Sequence, residues 1–313
     1  MKRLLSILLF IPILGFSQYT AIPDQNFEKH LVELGYDDVI DGKVLKSGIK
    51  NCKELNLQYK GITDLSGIED FTALTRLGCF GNQLTSLDVS NNTALIELYC
   101  SQNQLTSLDV SGCIALTYFN CYENQLTSID VSNNTALKLL NCGEGDTGNA
   151  YGNQLTSLDV SNNTALTKLY CGNNQLTSLD VSNNTSLTKL DCGRNKLTSL
   201  DLSNNTALIE LFCSVNQIKS LDVSKNTALT AFGCAGNLLT SLDLSNNTAL
   251  TTLVCHYNLL TSLDVSQNTA LTTLVCHYNQ LTSLDVSKNT ALTRMECSDN
   301  KFNCDALKNK LGL

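Results

Sequence analysis

Eleven cysteines recur at one fixed place in the chain: Cys79, Cys100, Cys121, Cys142, Cys171, Cys192, Cys213, Cys234, Cys255, Cys276 and Cys297. Successive members are 21 residues apart, except for 29 between Cys142 and Cys171. Self-similarity at a period of 20 to 29 residues marks a solenoid, in which each coil packs only on its neighbours. A chain of 313 residues would otherwise be read as two domains, but a solenoid grows by adding coils to one elongated body. Such a body rarely encloses a catalytic cavity, so function becomes a question about its surface.

The start of the chain has a different character. Met1, Lys2 and Arg3 precede an apolar run from Leu4 to Leu14, and Gly15-Phe16-Ser17 follows. A basic start, a short apolar core and small residues before Gln18 predict a secretory signal over 1–17, cleaved after Ser17. The run is short for a membrane span and no second one follows, so no transmembrane segment is expected. Secretion or display at the cell surface is expected, with periplasmic residence as the alternative. With a net charge of −8 and no cluster of Lys and Arg, the chain lacks the basic footprint that nucleic acid or an anionic membrane requires.

An exported chain with 14 cysteines would ordinarily be disulfide-built. Here cysteines one coil apart would lie side by side on parallel strands, about 4.8 Å apart, with parallel Cβ vectors that disfavour the bridging dihedral. A row of buried free thiols is therefore expected, ahead of a thiolate metal site, whose ligands must converge rather than lie in a line. Cys304, close to Cys297, offers one place for a bridge.

One coil, Leu95-Ile96-Glu97-Leu98-Tyr99-Cys100-Ser101-Gln102-Asn103-Gln104-Leu105, has the frame L-x-x-L-x-C-x-x-N-x-L. It resembles the leucine-rich-repeat frame with Cys in the third leucine place, over about twelve coils from residue 50 to 302. The first coil has Leu57 where later coils have Cys, so the thiol stands in for an aliphatic side chain. In a strand Leu98 and Cys100 point inward while Glu97, Tyr99 and Ser101 point out. The repeated Asn (Asn82, Asn103 and their successors to Asn300) falls where the chain leaves the strand, where a buried amide can satisfy turn backbone. The Asp of Leu-Asp-Val/Leu-Ser (Asp88, Asp109 and successors to Asp285) is read as a turn acceptor for the following N–H groups, with a calcium row as the alternative. Asn-x-Thr sequons such as Asn91-Asn92-Thr93 are read as turn composition.

Caps are predicted at both ends, because a stacked core leaves an apolar wall. Over 18–50, Asp24 would cap a helix whose Phe27, Leu31 and Leu34 share one face, ending at Gly35. Asp37 to Gly42 resembles a calcium loop only superficially, since Val39 stands where that loop needs Asp or Asn. Residues 51–302 form the solenoid, with a rim insertion at 143–152, and 303–313 form a short C-terminal cap. The insertion contains four glycines and is as much a tolerated loop as a recognition element.

Binding residues are sought among the outward positions that vary from coil to coil. Those carry Phe80, Tyr99, Tyr118, Tyr122, Tyr170 and Phe212, then His256 and His277, with Tyr257 and Tyr278 immediately beyond. Exposed aromatics offer contact area at little entropic cost, although they also favour strands for their own sake. The two His-Tyr pairs lie one coil apart in nearly identical copies. Duplication explains them more simply than a two-histidine metal site, and no metal or cofactor is expected.

The phrase Asn-Thr-Ala-Leu-Thr-x-Leu-x-Cys-x-x-Asn-Gln-Leu-Thr-Ser-Leu-Asp-Val-Ser, with Ile22-Pro23-Asp24-Gln25-Asn26-Phe27, resembles exported leucine-rich-repeat proteins of Bacteroidetes-type bacteria and, more distantly, the internalin adhesins. The resemblance implies a non-enzymatic, monomeric module that binds protein through the concave face of an arc. A glycan-binding surface is the first alternative. A structural or ice-interacting surface, prompted by the Thr85, Thr106, Thr127 row, is the second. No nucleophile–base–orienter set is found among the outward residues, so an enzyme is not expected.

Overall fold

A computed structural model describes residues 18–143 and 152–312. The predicted signal over 1–17 and nearly all of the rim insertion lie outside the described residues. The chain opens with β1 (Tyr19–Ala21), α1 (Gln25–Glu33), β2 (Lys43–Leu45) and α2 (Lys46–Ile49), β1 pairing antiparallel with β2. Twelve three-residue strands follow, from β3 (Glu54–Asn56) to β14 (Arg294–Glu296), in one parallel sheet whose order is the order of the chain. The helix α3 (Cys304–Leu311) closes the far end.

Every strand pair keeps the same register, with Leu98 beside Leu77 and Phe119, and Leu190 beside Leu169 and Leu211. Alternation decides what is buried. The central residue of each strand and the Cys two places on point inward and are almost wholly buried, as are Leu84, Leu105 and Val110 from the remainder of their coils. Each such side chain contributes about 1.5–3 kcal/mol relative to exposure. Leu57 lies at the same depth as the cysteines, so the thiols do stand in for an aliphatic group.

Asparagines hold the coils together. Asn195 Nδ2 donates to the carbonyls of Cys171 (3.0 Å), Cys192 (3.1 Å) and Gly193 (3.2 Å), while its Oδ1 accepts from Leu176 N at 2.9 Å. One amide thus satisfies backbone groups of two adjacent coils. A second amide column, unrecognised in the sequence, runs along the opposite side of the coil. Asn205 donates to Val181 O and Asn184 O, both at 3.0 Å, and Asn92, Asn134, Asn163 and Asn184 do the same with their neighbours. Cys113 occupies this column where Asn is missing, its thiol 3.6 Å from Val89 O and 3.8 Å from Asn92 O. The sequon motif therefore contains a structural residue at its middle position.

At the N-terminal end Asp24 caps α1, Oδ1 accepting from Asn26 N and Phe27 N at 2.9 Å each. Its Oδ2 accepts from Thr63 N, Thr63 Oγ1 and Asp64 N, which ties the cap to the first coil. Burial acts against the charge, but these hydrogen bonds outweigh it and hold the carboxyl below its usual range. Phe27 and Leu31 are buried as predicted; Leu34 is not, and stands 47% exposed. It is the C-cap residue, where the helix gives way to Gly35 at φ +78°, and it is displaced from the apolar face. The Asp37–Gly42 loop wraps a carboxylate of the protein itself: Glu28 Oε1 accepts from Asp41 N, Gly42 N and Lys43 N.

At the C-terminal end a Cys297–Cys304 disulfide ties α3 to the last coil. Asn303 caps that helix through Ala306 N at 2.9 Å. The other twelve cysteines are free and buried.

Candidate functional site

The outward face of the sheet falls into three stretches. In the first, Tyr59 packs edge-on against Phe80, with ring centroids 5.1 Å apart, and its hydroxyl donates to Gln102 Oε1 at 3.0 Å. Gly81 beside them has φ +70°, and a Cβ there would run into the Tyr59 ring. Arg76 lies over Tyr99 at 5.6 Å and its Nε is 3.4 Å from Glu97 Oε2, to which the Tyr99 hydroxyl also donates at 3.0 Å. Burial and the Glu97 hydrogen bond push the Tyr99 hydroxyl above its usual pKa; burial does the same for Tyr122. Tyr118 is 39% exposed. A hollow of about 530 Å³ opens here, lined by Leu34 and Tyr36 from the end of the cap and by Glu54, Leu55, Asn56, Gln58, Arg76, Gly78, Phe80 and Tyr99.

The middle stretch differs from expectation. Tyr170 is only 8% exposed and offers almost no surface. Its ring supports Lys189, whose Nζ sits 5.2 Å from the Tyr170 centroid, 5.9 Å from that of Phe212 and 3.0 Å from Glu210 Oε2. Phe212, half-buried, leans over Gly233, so that a Cβ there would meet the ring at 3.0 Å. A partner reaching this stretch would meet a salt-bridged lysine and the edge of Phe212.

In the last stretch four rings gather. His256 stacks on His277 at 4.5 Å and 19°, and Tyr257 stacks on Tyr278 at 4.4 Å and 7°, with edge contacts between the two pairs. His277 Nδ1 is 3.6 Å from Glu296 Oε2, while His256 Nδ1 is buried without a hydrogen-bond partner. Burial, and then the neighbouring His277 charge, lower the pKa of His256. The tyrosines are 53% and 45% exposed and take the left-handed conformation, φ +52° and +50°, as do Gln102, Glu123, Asn173, Arg194, Val215 and Asp299 at the equivalent place in their coils.

Tyr59, Glu54, Leu34 and Tyr36 were not expected on this face. The first coil has no Cys to set its frame, and the cap residues reach the sheet only through the fold. Leu57 in the Cys place is the signal that could have put Glu54 and Tyr59 outward, by the same alternation that places Glu97 and Gln102; nothing in the one-dimensional pattern places Leu34 and Tyr36 there.

Other groups have clear structural tasks. Burial pushes the thiols of Cys79, Cys142 and Cys213 up to about 12, so they are not nucleophiles at neutral pH. Each Asp of the back row accepts from the Ser two residues on, as Asp109 does from Ser111 N at 2.8 Å, and hydrogen bonds from that serine lower its pKa. Among the described residues no group of three or more His, Cys, Asp or Glu is arranged to hold a metal ion. No helix among them is long and apolar enough to cross a membrane.

Residues 164–204 match the family model for leucine-rich repeats in two copies. No curated protein matches the chain. Among solved structures, the functional domain of InlJ from Listeria monocytogenes, described as including a cysteine ladder, is similar at 40% identity and a TM-score of 0.84. The match covers 90% of this chain and 62% of that structure, so the chain spans less than two thirds of its length. InlF, an internalin of the same organism, is similar at 21% identity and a TM-score of 0.76 over 93% of this chain and 94% of that one. The leucine-rich-repeat protein LIC12759 from Leptospira interrogans is similar at 24% identity and 0.73, over 81% and 68% respectively. With its twelve-stranded parallel sheet, inward leucines and cysteine ladder, the chain is a leucine-rich-repeat solenoid of internalin-like fold.

Proposed function

We propose that the chain is a non-enzymatic protein-binding or adhesive module that acts outside the cytoplasm through the outward, concave face of its sheet. The observation that carries this reading is the contrast between columns. Leu, Cys and Asn recur inward in coil after coil, while most outward places outside the two His-Tyr coils change identity, and the face keeps exposed Tyr118, Tyr257 and Tyr278 and half-buried Phe80, Tyr99 and Tyr122. Rigid aromatics on a preformed surface suit protein recognition. The internalin-like fold supports it, and such folds are typically protein-binding modules. Export rests on the basic–apolar–small pattern of residues 1–17.

The test is a pull-down comparing the chain with a Tyr99→Ala, Tyr118→Ala, Tyr122→Ala variant. Loss of a captured protein is expected, and equal recovery of every partner would sink the reading. A second reading, a glycan surface, is favoured by the parallel Tyr257–Tyr278 stack, since sugar rings lie flat on aromatic faces. An arrayed-glycan screen separates the two.

A further inference from the structure

We propose that the hollow at the N-terminal end of the sheet is an anchoring site for one basic side chain, lysine or arginine, of the protein that the outward face binds. This deepens the protein-binding reading and rests on it. The hollow, about 530 Å³, falls within the roughly 300–1,000 Å³ range of ligand sites. It is built where two structures meet: Leu34 and Tyr36 come from the cap, Glu54 and Leu55 from β3, and Arg76, Phe80 and Tyr99 from the next two coils.

Its charges are unequal in what they have left to offer. Glu54 and Arg76 are direct neighbours in the strand register, yet the ion pair that Arg76 makes is with Glu97 and not with Glu54. Its guanidinium is matched by Glu97 at 3.4 Å and lies over the Tyr99 ring. Glu54, exposed at the mouth, makes no side-chain hydrogen bond or ion pair among the described residues. One uncompensated carboxylate therefore stands beside the apolar wall of Leu34, Tyr36 and Phe80.

Lysine and arginine carry both halves of what this wall asks for. An aliphatic stem can lie along Leu34 and the ring of Tyr36, and a cation can reach Glu54 in a charge-assisted hydrogen bond while facing an aromatic ring. A purely apolar side chain would cover Glu54 without pairing it, which costs free energy. An acidic one would meet Glu54 as a like charge and would find Arg76 already partnered. The net charge of −8 attracts a basic partner at longer range.

The experiment is a backbone-amide NMR titration of the chain with two probes, acetyl-Leu-Arg-Leu-amide and acetyl-Leu-Glu-Leu-amide. The arginine peptide is expected to shift the amides of Tyr36, Glu54 and Phe80 in a saturable way. Its affinity should fall about tenfold in Glu54→Gln and weaken as salt is raised. Arg76→Gln removes the like charge and should bind it more tightly. Both positions are exposed, so the spectra away from them should be unchanged.

Equal response to the two peptides, an unchanged affinity in Glu54→Gln, or no response at Glu54 overturns the site. Shifts confined to Phe212, His277 or Tyr278 overturn it as well, but leave the outward face as the binding surface. That general reading falls only with the pull-down of the triple tyrosine variant.

Discussion

The two faces of this sheet are made by the same strands and obey opposite rules. Inward, Leu190 and Cys192 repeat their neighbours one coil away, and Asn195, where the strand turns out, is engaged on both hydrogen-bonding atoms. Outward, Asp191 stands between Tyr170 on one side and Phe212 on the other, and Lys189 repeats Lys168 but meets Glu210 in the next coil. A substitution on the first face disturbs two coils at once. On the second it changes mainly what a partner would touch.

Measurements that could break this contrast run from large effects to small. Asn195→Ala strands the Leu176 N–H and takes one of two donors from the carbonyls of Cys171, Cys192 and Gly193, which keep Asn174, Asn216 and Asn173 N, and it is expected to destabilise by about 2–4 kcal/mol in urea titration. Asn205→Ala, in the second column, removes the second donor from the carbonyls of Val181 and Asn184, which keep backbone N–H partners, and should cost less, about 1–2 kcal/mol. If the two variants melt alike, the columns are not distinct in kind. Cys192→Ser places a hydroxyl in a fully buried site and should cost about 2 kcal/mol, more than Cys192→Ala, whose cost is a small cavity alone. The reverse order would mean that the thiols are polar partners and not aliphatic substitutes.

On the outward face, Tyr118→Ala should change stability by less than about 1 kcal/mol while weakening capture of the partner. Equal loss of both would place Tyr118 among the structural residues. The smallest effect is that of pH. His256 has its pKa lowered below the ordinary 6.5, so the unfolded chain binds a proton more readily than the folded one. The contribution is fully present above about pH 6.5 and is lost as pH falls through the lower, folded value. A slight fall in Tm between pH 7.5 and 5.5 is expected, reduced in His256→Gln. A Tm that rises on acidification would contradict the buried, unpartnered Nδ1.

The sequence pattern revealed what repeats and missed what depends on neighbours. Cys100 and Asn103 were legible because strand alternation and the turn after it assign each an environment without reference to any other coil. Asp24 was legible as a cap for a similarly local reason, but its second set of bonds, to Thr63 and Asp64, belongs to the fold. Tyr170 shows the limit: alternation points it outward, and its surroundings leave it 8% exposed. Leu34 errs the other way, since helical spacing assigns it to the core until Gly35 ends the helix one residue too early. The Asn92 column was hidden because Asn is common in turns for its own sake, and the letters alone do not separate a turn former from an amide buried between two coils.

The left-handed residue that precedes nearly every strand-exit asparagine has a consequence for how such a surface can change over generations. Glycine adopts this conformation without strain, and Gly81 and Gly236 do so here. Tyr257, Tyr278 and even the β-branched Val215 occupy it instead, each at a cost of roughly 1–3 kcal/mol. The amide of the next residue pins the backbone regardless, as Asn216 does by accepting from Leu197 N at 2.9 Å. The position is thus insulated from the fold that carries it. Novelty in side chain can be sampled there one coil at a time, with the scaffold absorbing the strain and selection acting on contact alone.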